Sequence, residues 1–293
     1  MTLRALDLEF QGRKGVICAY LLEKGGSLAL LECGPASTVA ALETRLLELG
    51  IEPSAIRDVL VTHIHLDHAG AAGWLAGLGA TIHCHPRAAR HLVDPSRLLA
   101  GAREVYGENM ESLFGRTDPV PAAQVHVLEH GERLRLGELE IEALDTPGHA
   151  RHHHAYLCEG ICFTGDVAGV RLSGSGYLSV ASAPPQFEPE PLLKSLELLL
   201  SKAPQKLALT HFGLVDQADD HLAAYARRVR EAAALAKGAV ETSEIAFAEA
   251  YEQAERATAL TNGVTPDLWD CYELANSTAM GAAGLLQWAK APG

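Results

Sequence analysis

The chain has 293 residues, 48% hydrophobic and 21% charged, which suits one large core with a smaller appendage and excludes disordered, collagenous and coiled-coil classes. Its 37 acidic residues against 24 Lys and Arg leave a formal net charge of -13, which argues against a nucleic-acid partner because phosphate contacts need clustered basic side chains. No apolar run approaches a bilayer span, and Met1 to Asp7 lack the apolar stretch of a secretory signal, so the expectation is a cytoplasmic protein with a small-molecule substrate and no membrane partner.

In chain order, apolar runs at Val16 to Leu22 and Ser27 to Cys33, joined by Lys24-Gly25-Gly26, predict two paired strands. Val39, Leu42, Leu46 and Leu49 then recur at helical spacing behind the turn and cap residues Gly34 to Thr38, and Gly50 stops the run. An α/β rhythm follows, with a strand at Asp58 to Thr62, a helix near Ala69 to Leu78, a strand at Ala80 to Cys84 and a helix near Pro86 to Val93. Residues 94 to 123 lose periodicity and read as a long surface excursion bordering the substrate site. Strand-like runs return at Gln124 to Leu128, Arg133 to Asp145, His154 to Cys158, Ile161 to Thr164 and Lys206 to Thr210.

After His211 helical spacing takes over, first in Leu222, Tyr225, Val229, Ala232 and Ala236, then in Ile245, Ala248, Tyr251 and Leu260. The reading is a main domain over 1–215 and a helical extension over 216–293, packed on it without a flexible linker and shaping the substrate entrance or a homodimer interface. The six cysteines read as buried thiols; Cys158 and Cys162 are placed to face each other across a tight hairpin at Glu159-Gly160.

Four strand-like runs end in a Thr followed within three residues by a metal-ligating type: Thr62-His63, Thr146-Pro147-Gly148-His149, Thr164-Gly165-Asp166 and Thr210-His211. If these strands share a layered α/β core, their carboxyl ends meet at one edge, where open α/β folds place ligands. The first turn is the densest, with His63, His65, Asp67 and His68 within six residues. In an extended turn residues 63, 65 and 67 share one parity, so Asp67 and His68 must reach differently from the first two histidines for two ions to be served. Imidazole with carboxylate suits borderline ions, zinc first, and also iron or manganese.

Thr62-His63-Ile64-His65-Leu66-Asp67-His68 resembles the T-H-x-H-x-D-H signature of the metallo-β-lactamase superfamily, and the three later motifs resemble that family's own, in order, over roughly residues 15 to 215. The resemblance implies an α/β (α+β) fold, a four-layer αββα sandwich with the site between the sheets. It assigns one divalent ion to His63, His65 and His149 and a second to Asp67, His68 and His211, with Asp166 bridging. It implies hydrolysis of a thioester, lactone or other carboxylic ester by a metal-bridging hydroxide, with Asp67 or a metal-bound water protonating the leaving group. Asp166 sets the chain apart from the true β-lactamases, which generally lack that bridging carboxylate, and likens it to the glyoxalase II and lactonase branches. Gly169 stands where the lactonases carry Tyr, and Glu32 where the superfamily commonly has Asp among the residues that orient the ligands.

Two other classes are distinguishable: a persulfide-dioxygenase-like oxidoreductase with a single iron, separated by iron content and oxygen uptake, and a non-catalytic metal-binding module. Among the remaining histidines, His91, His126, His130 and His221 read as surface or satisfied interior residues, and His83 and His85 as strand-end surface positions. His152, His153 and His154 read as supporting residues; related thioesterases carry a histidine where His153 stands, which favours it for a hydrogen bond to the site. Ser173 to Tyr177 read as a flexible loop by the site, and Tyr106 and Tyr177 are candidate substrate contacts.

Overall fold

Two six-stranded sheets stack face to face in the computed structural model, which describes residues 1 to 291; the last two positions of the expected 216–293 extension lie outside the described residues. The first sheet holds, in spatial order, β1 (Thr2–Asp7), β2 (Cys18–Lys24), β3 (Ser27–Leu31), β4 (Asp58–Leu60), β5 (Thr81–Cys84) and β6 (Val125–Val127). Its first three strands are antiparallel and β3 to β6 are parallel. The second sheet runs from β7 (Arg133–Leu136) through β8 (Leu139–Asp145), β9 (His154–Cys158), β10 (Ile161–Gly165) and β11 (Lys206–Leu209) to β12 (Gly213–Val215). Only β10 and β11 pair in parallel there. Parallel neighbours need crossovers; the helices Val39–Glu48, Ala72–Gly77 and Pro189–Ser201 lie in them.

Strand pleating sorts side chains into three apolar layers. Tyr20 and Leu22 of β2 point at the second sheet, meeting Ile141, Ala143, Tyr156 and Phe163. Ala19 and Leu21 point the other way, onto Leu42, Leu46 and Leu75 of the first helical layer. Beyond the second sheet, Cys162, Leu207 and Leu209 pack under Leu192, Leu196 and Leu199 and under the C-terminal helices. The result is the αββα sandwich.

The sheets are tied together at the carboxyl ends of their parallel strands. Cys18 N–H donates to Thr210 O at 3.0 Å and His154 N–H to Thr62 O at 2.7 Å. The Tyr20 hydroxyl donates to Leu209 O at 2.6 Å and the Tyr156 hydroxyl to Val61 O at 3.0 Å. These bonds bring the four motif-bearing strand ends to one rim.

Several elements differ from their expected form. Residues 94 to 123 contain the helices Ser96–Tyr106 and Met110–Phe114 rather than an irregular excursion. Ser96–Tyr106 buries no residue fully; Leu98, Leu99, Ala102 and Tyr106 are only partly covered, so its stripe is weak in the sequence. Arg133 to Asp145 is a hairpin turning at Gly137-Glu138, with Leu136 opposite Leu139. The N-terminal strand β1 was not anticipated. Cys158 opposes Ile161 and Cys162 opposes Leu157, so the two cysteines do not face each other. Cys158 points between the sheets and Cys162 toward the helices, where burial pushes its thiol up to about 12. All six cysteines are free, and five are buried.

The extension forms the helices Ala218–Gly238, Glu244–Thr261, Pro266–Ala275 and Thr278–Lys290. Ser243, Thr265 and Ser277 cap the last three, each side chain accepting from the backbone N–H three residues on. Leu222, Val229, Phe247, Leu285 and Leu286 pack on the second sheet's outer layer. A smaller cluster joins Trp269 and Tyr272 to Val170, Leu172 and Tyr177, beyond β10. Among the described residues no helix is long and apolar enough to cross a membrane.

Candidate metal centre

The four motif ends converge into three overlapping ligand groups: His63 with His65 and His149, His63 with His68 and Asp166, and Asp67 with His68 and His211. Within each group one ligand atom per residue lies within 4.8 Å of the others. The parity problem is solved by the helix Leu66–Ala69, which carries Asp67 and His68 away from the side taken by His63 and His65. Asp166 stands between the groups. Its Oδ1 lies 3.3 Å from His68 Nε2 and 3.6 Å from His211 Nε2, and its Oδ2 lies 3.5 Å from His149 Nε2. Asp67 Oδ2 is 3.3 Å from His211 Nε2 and 3.5 Å from His68 Nε2.

Four of the five imidazoles have their outer nitrogen committed. His149 Nδ1–H donates to Ala181 O and His211 Nδ1–H to Val16 O, both at 2.9 Å. A carbonyl only accepts, so in each ring Nδ1 carries the proton. His68 Nδ1–H donates to Glu32 Oε1 at 3.0 Å. The Thr62 hydroxyl donates to Glu32 Oε1 at 2.5 Å and therefore accepts from His63 Nδ1–H at 3.0 Å. All four Nε2 lone pairs are thus aimed inward, while His65 presents Nδ1.

Whether a cation fits is decided by what those lone pairs meet. His65 Nδ1 lies 2.9 Å from His63 Nε2 and 3.0 Å from His149 Nε2, and one N–H can satisfy only one of them. His68 Nε2, His211 Nε2 and Asp166 Oδ1 are buried with no hydrogen-bond partner. Orphaned buried polar atoms are costly, and here they converge on one another with their lone pairs turned inward, which suits a cation. Burial opposes charge throughout, yet Asp166 and Asp67 outweigh it at His68 and His211, whose pKa values are raised. His65 meets burial and then His149, which push it down to about 3.

Beneath the site Glu32, 2% exposed, gathers the loops. Besides His68 and the Thr62 hydroxyl it accepts from Thr62 N–H at 3.2 Å and the Thr210 hydroxyl at 3.1 Å. The longer side chain thus reaches two of the four motifs, 62–68 and 210–211. His153 plays the expected supporting part, its Nδ1 paired with the Thr146 hydroxyl at 2.8 Å and its Nε2 accepting from Asp166 N–H at 3.3 Å. Gly165, at φ 48°, is needed there, because a Cβ would meet Thr62 Oγ1 and His153 Nε2.

Tyr106 is half-buried against Phe114, its hydroxyl donating to Met280 Sδ at 3.4 Å. Burial, then Asp67 and Asp166, raise its phenol pKa. Tyr177 is not brought to the cluster: it is 1% exposed, packs on Trp269 and Tyr272, and donates its hydroxyl to Glu255. The surrounding Ser173 to Tyr177 segment is anchored likewise, Ser175 Oγ lying 2.9 Å from the Tyr272 hydroxyl. His83 and His85 are buried rather than on the surface; His83 pairs with Asp58 at 2.8 Å and His126 at 2.9 Å. His221 is an interior residue, Nε2 donating to Ala168 O while Nδ1 is buried without a partner.

The family model for the metallo-β-lactamase superfamily matches residues 13–211. A hydroxyacylglutathione hydrolase of Xanthomonas euvesicatoria pv. vesicatoria is 30% identical over 230 residues, which is 78% of this chain and 75% of the relative. An archaeal metallo-β-lactamase superfamily protein from Sulfolobus tokodaii superposes with a TM-score of 0.70 at 18% identity, covering 97% of each chain. A metallo-β-lactamase family protein from Thermus thermophilus superposes at 0.64 with 22% identity, covering 98% of this chain and 92% of that one. These two likenesses show the fold, and their coverage takes in the helical extension. With the family model spanning well over half of the sequence, the chain belongs to the metallo-β-lactamase superfamily and is a metal-dependent hydrolase.

Proposed function

We propose that this hydrolase cleaves an ester-type bond, a thioester, lactone or other carboxylic ester, at a centre of two divalent ions. His63, His65 and His149 hold one, Asp67, His68 and His211 the other, and Asp166 is shared. The observation that carries the reading is the split of the Asp166 carboxylate, Oδ1 toward His68 and His211 and Oδ2 toward His149. Zinc suits the ligand set, as do iron and manganese. Two such ions, when bound, polarise a carbonyl oxygen and lower the pKa of a water to about 7.

The chain's own residues supply orientation and proton handling. The committed Nδ1–H groups of His63, His68, His149 and His211 hold each ring in one tautomer and direction. Asp67 is the more open of the two carboxylates, its side chain 22% exposed against 9% for Asp166. With Oδ2 turned to His211 and His68, its other carboxylate oxygen would take a proton from the attacking water and return it to the leaving alkoxide or thiolate. Tyr106, whose hydroxyl ties the 94–123 segment to Met280 of the extension, is the candidate substrate contact. The hydroxyacylglutathione hydrolase relative supports an acyl group as the part transferred to water.

The test is a panel of thioesters, lactones and carboxylic esters presented to protein stripped by a chelator and reloaded with zinc. Turnover of at least one class is expected, lost on stripping and restored on reloading. No turnover on any class, or turnover that persists in stripped protein, contradicts the proposal.

A further inference from the structure

A second group of ligand types lies outside this centre, at three strand ends. His85 directly follows β5 in the first sheet, while Asp145 ends β8 and His154 begins β9 in the second, standing opposite each other in register. One ligand atom from each of the three residues lies within 4.8 Å of the other two. His85 Nε2 is 3.3 Å from Asp145 Oδ1, and the His85 and His154 rings are 4.6 Å apart, centroid to centroid.

The hydrogen-bond inventory is incomplete here. Both ring nitrogens of His154, a fully buried residue, lack a partner, and Asp145 Oδ1 has only the His85 ring at 3.3 Å, outside hydrogen-bond geometry. Buried polar atoms are nearly always satisfied, and exceptions of this kind mark an absent water or ion. Two imidazoles and a carboxylate are the donor set of a divalent transition-metal ion. The Asp145 side chain is 44% exposed, which leaves a route from solvent and a coordination position for water.

We infer that His85, Asp145 and His154 form an accessory site for one divalent transition-metal ion, distinct from the hydrolytic centre, that clips the two sheets together at the rim. The ion steadies the loop from Asp145 to His149 and, through the His154 N–H bond to Thr62 O, the turn that carries His63. One contact resists binding. Arg87 N–H donates to His85 Nδ1 at 2.9 Å, so without an ion the His85 proton sits on Nε2, facing Asp145. Ligation through Nε2 moves that proton to Nδ1 and breaks the Arg87 bond, a loss of one hydrogen bond against several metal–ligand bonds. The tautomer exchange is itself a signature of the site.

The experiment counts zinc per chain by native mass spectrometry, after equilibration with zinc and removal of free metal, in the wild type, His154→Phe and Asp145→Ala. Each variant is expected to carry one zinc ion fewer than the wild type while circular dichroism shows it folded. Equal counts overturn the inference, and so does a folded variant that loses more than one ion, because its residue then serves the main centre. If His154→Phe does not fold, Asp145→Ala decides. In parallel, nitrogen-15 NMR of wild-type His85 is expected to move from the Nε2–H to the Nδ1–H tautomer on zinc addition; an unchanged tautomer overturns the site. The difference in count holds whatever number of ions the main centre takes.

Discussion

Glu32 shows what a single residue does for the centre. It follows β3 at φ 64°, a left-handed position that turns its side chain under the loops, where it accepts from Thr62, His68 and Thr210. A carboxylate this buried is tolerable only because those donors surround it. In Glu32→Gln the charge that fixes the His68 tautomer is lost, so zinc affinity is expected to fall about 10- to 100-fold with the fold retained. Competition with a chelating dye measures this, and an unchanged affinity contradicts the role. The sequence singles out Glu32 as a departure from Asp, but not the left-handed turn that lets the longer side chain reach Thr210, 178 residues away. The seven ligand candidates were legible because they lie in four short motifs. His85, Asp145 and His154 were not, being single residues at three strand ends, two of them paired in one ladder and His85 brought to them by the stacking of the sheets.

At the scale of elements, what was legible depended on how much each element buries. Strands with apolar residues on both faces stood out, whereas Ser96–Tyr106, with no fully buried residue, carries too thin a stripe to register. The misplaced Cys158–Cys162 pair came from a register difference of one residue, which in a pleated strand puts a side chain on the other face. Tyr177 was legible as a loop residue but not as the anchor it is, because its partner Glu255 lies 78 residues on. Glu255, 2% exposed, also takes two bonds from Arg228, at 2.6 and 2.7 Å, which tie the helices Ala218–Gly238 and Glu244–Thr261 together. Arg228→Ala leaves that carboxylate buried without its cation, so a loss of about 3–5 kcal/mol is expected from the denaturation midpoint. A change under ~1 kcal/mol, the size of an exposed pair's contribution, means the pair is not buried in solution.

Across the whole molecule, residues 1–215 and 216–293 are proposed as a catalytic domain and an extension that share one outer core. Phe247, Leu285 and Leu286 are buried in the same cluster as Leu192 and Leu196 of the crossover helix. Each such side chain contributes about 1.5–3 kcal/mol on burial, so losing three consumes much of a typical stability margin of about 5–15 kcal/mol. A chain ending near residue 240 is therefore expected to aggregate or lose activity. One that stays folded and equally active on every substrate leaves the extension without this role. The centre itself stands on Asp166, 6% exposed, with one carboxylate oxygen facing His68 and His211 and the other His149. Its most direct test is the zinc count, by native mass spectrometry, of Asp166→Ala against the wild type. Loss of one or both ions of the centre from a folded chain, with hydrolysis falling by orders of magnitude, is the expected result; an unchanged count contradicts the shared carboxylate.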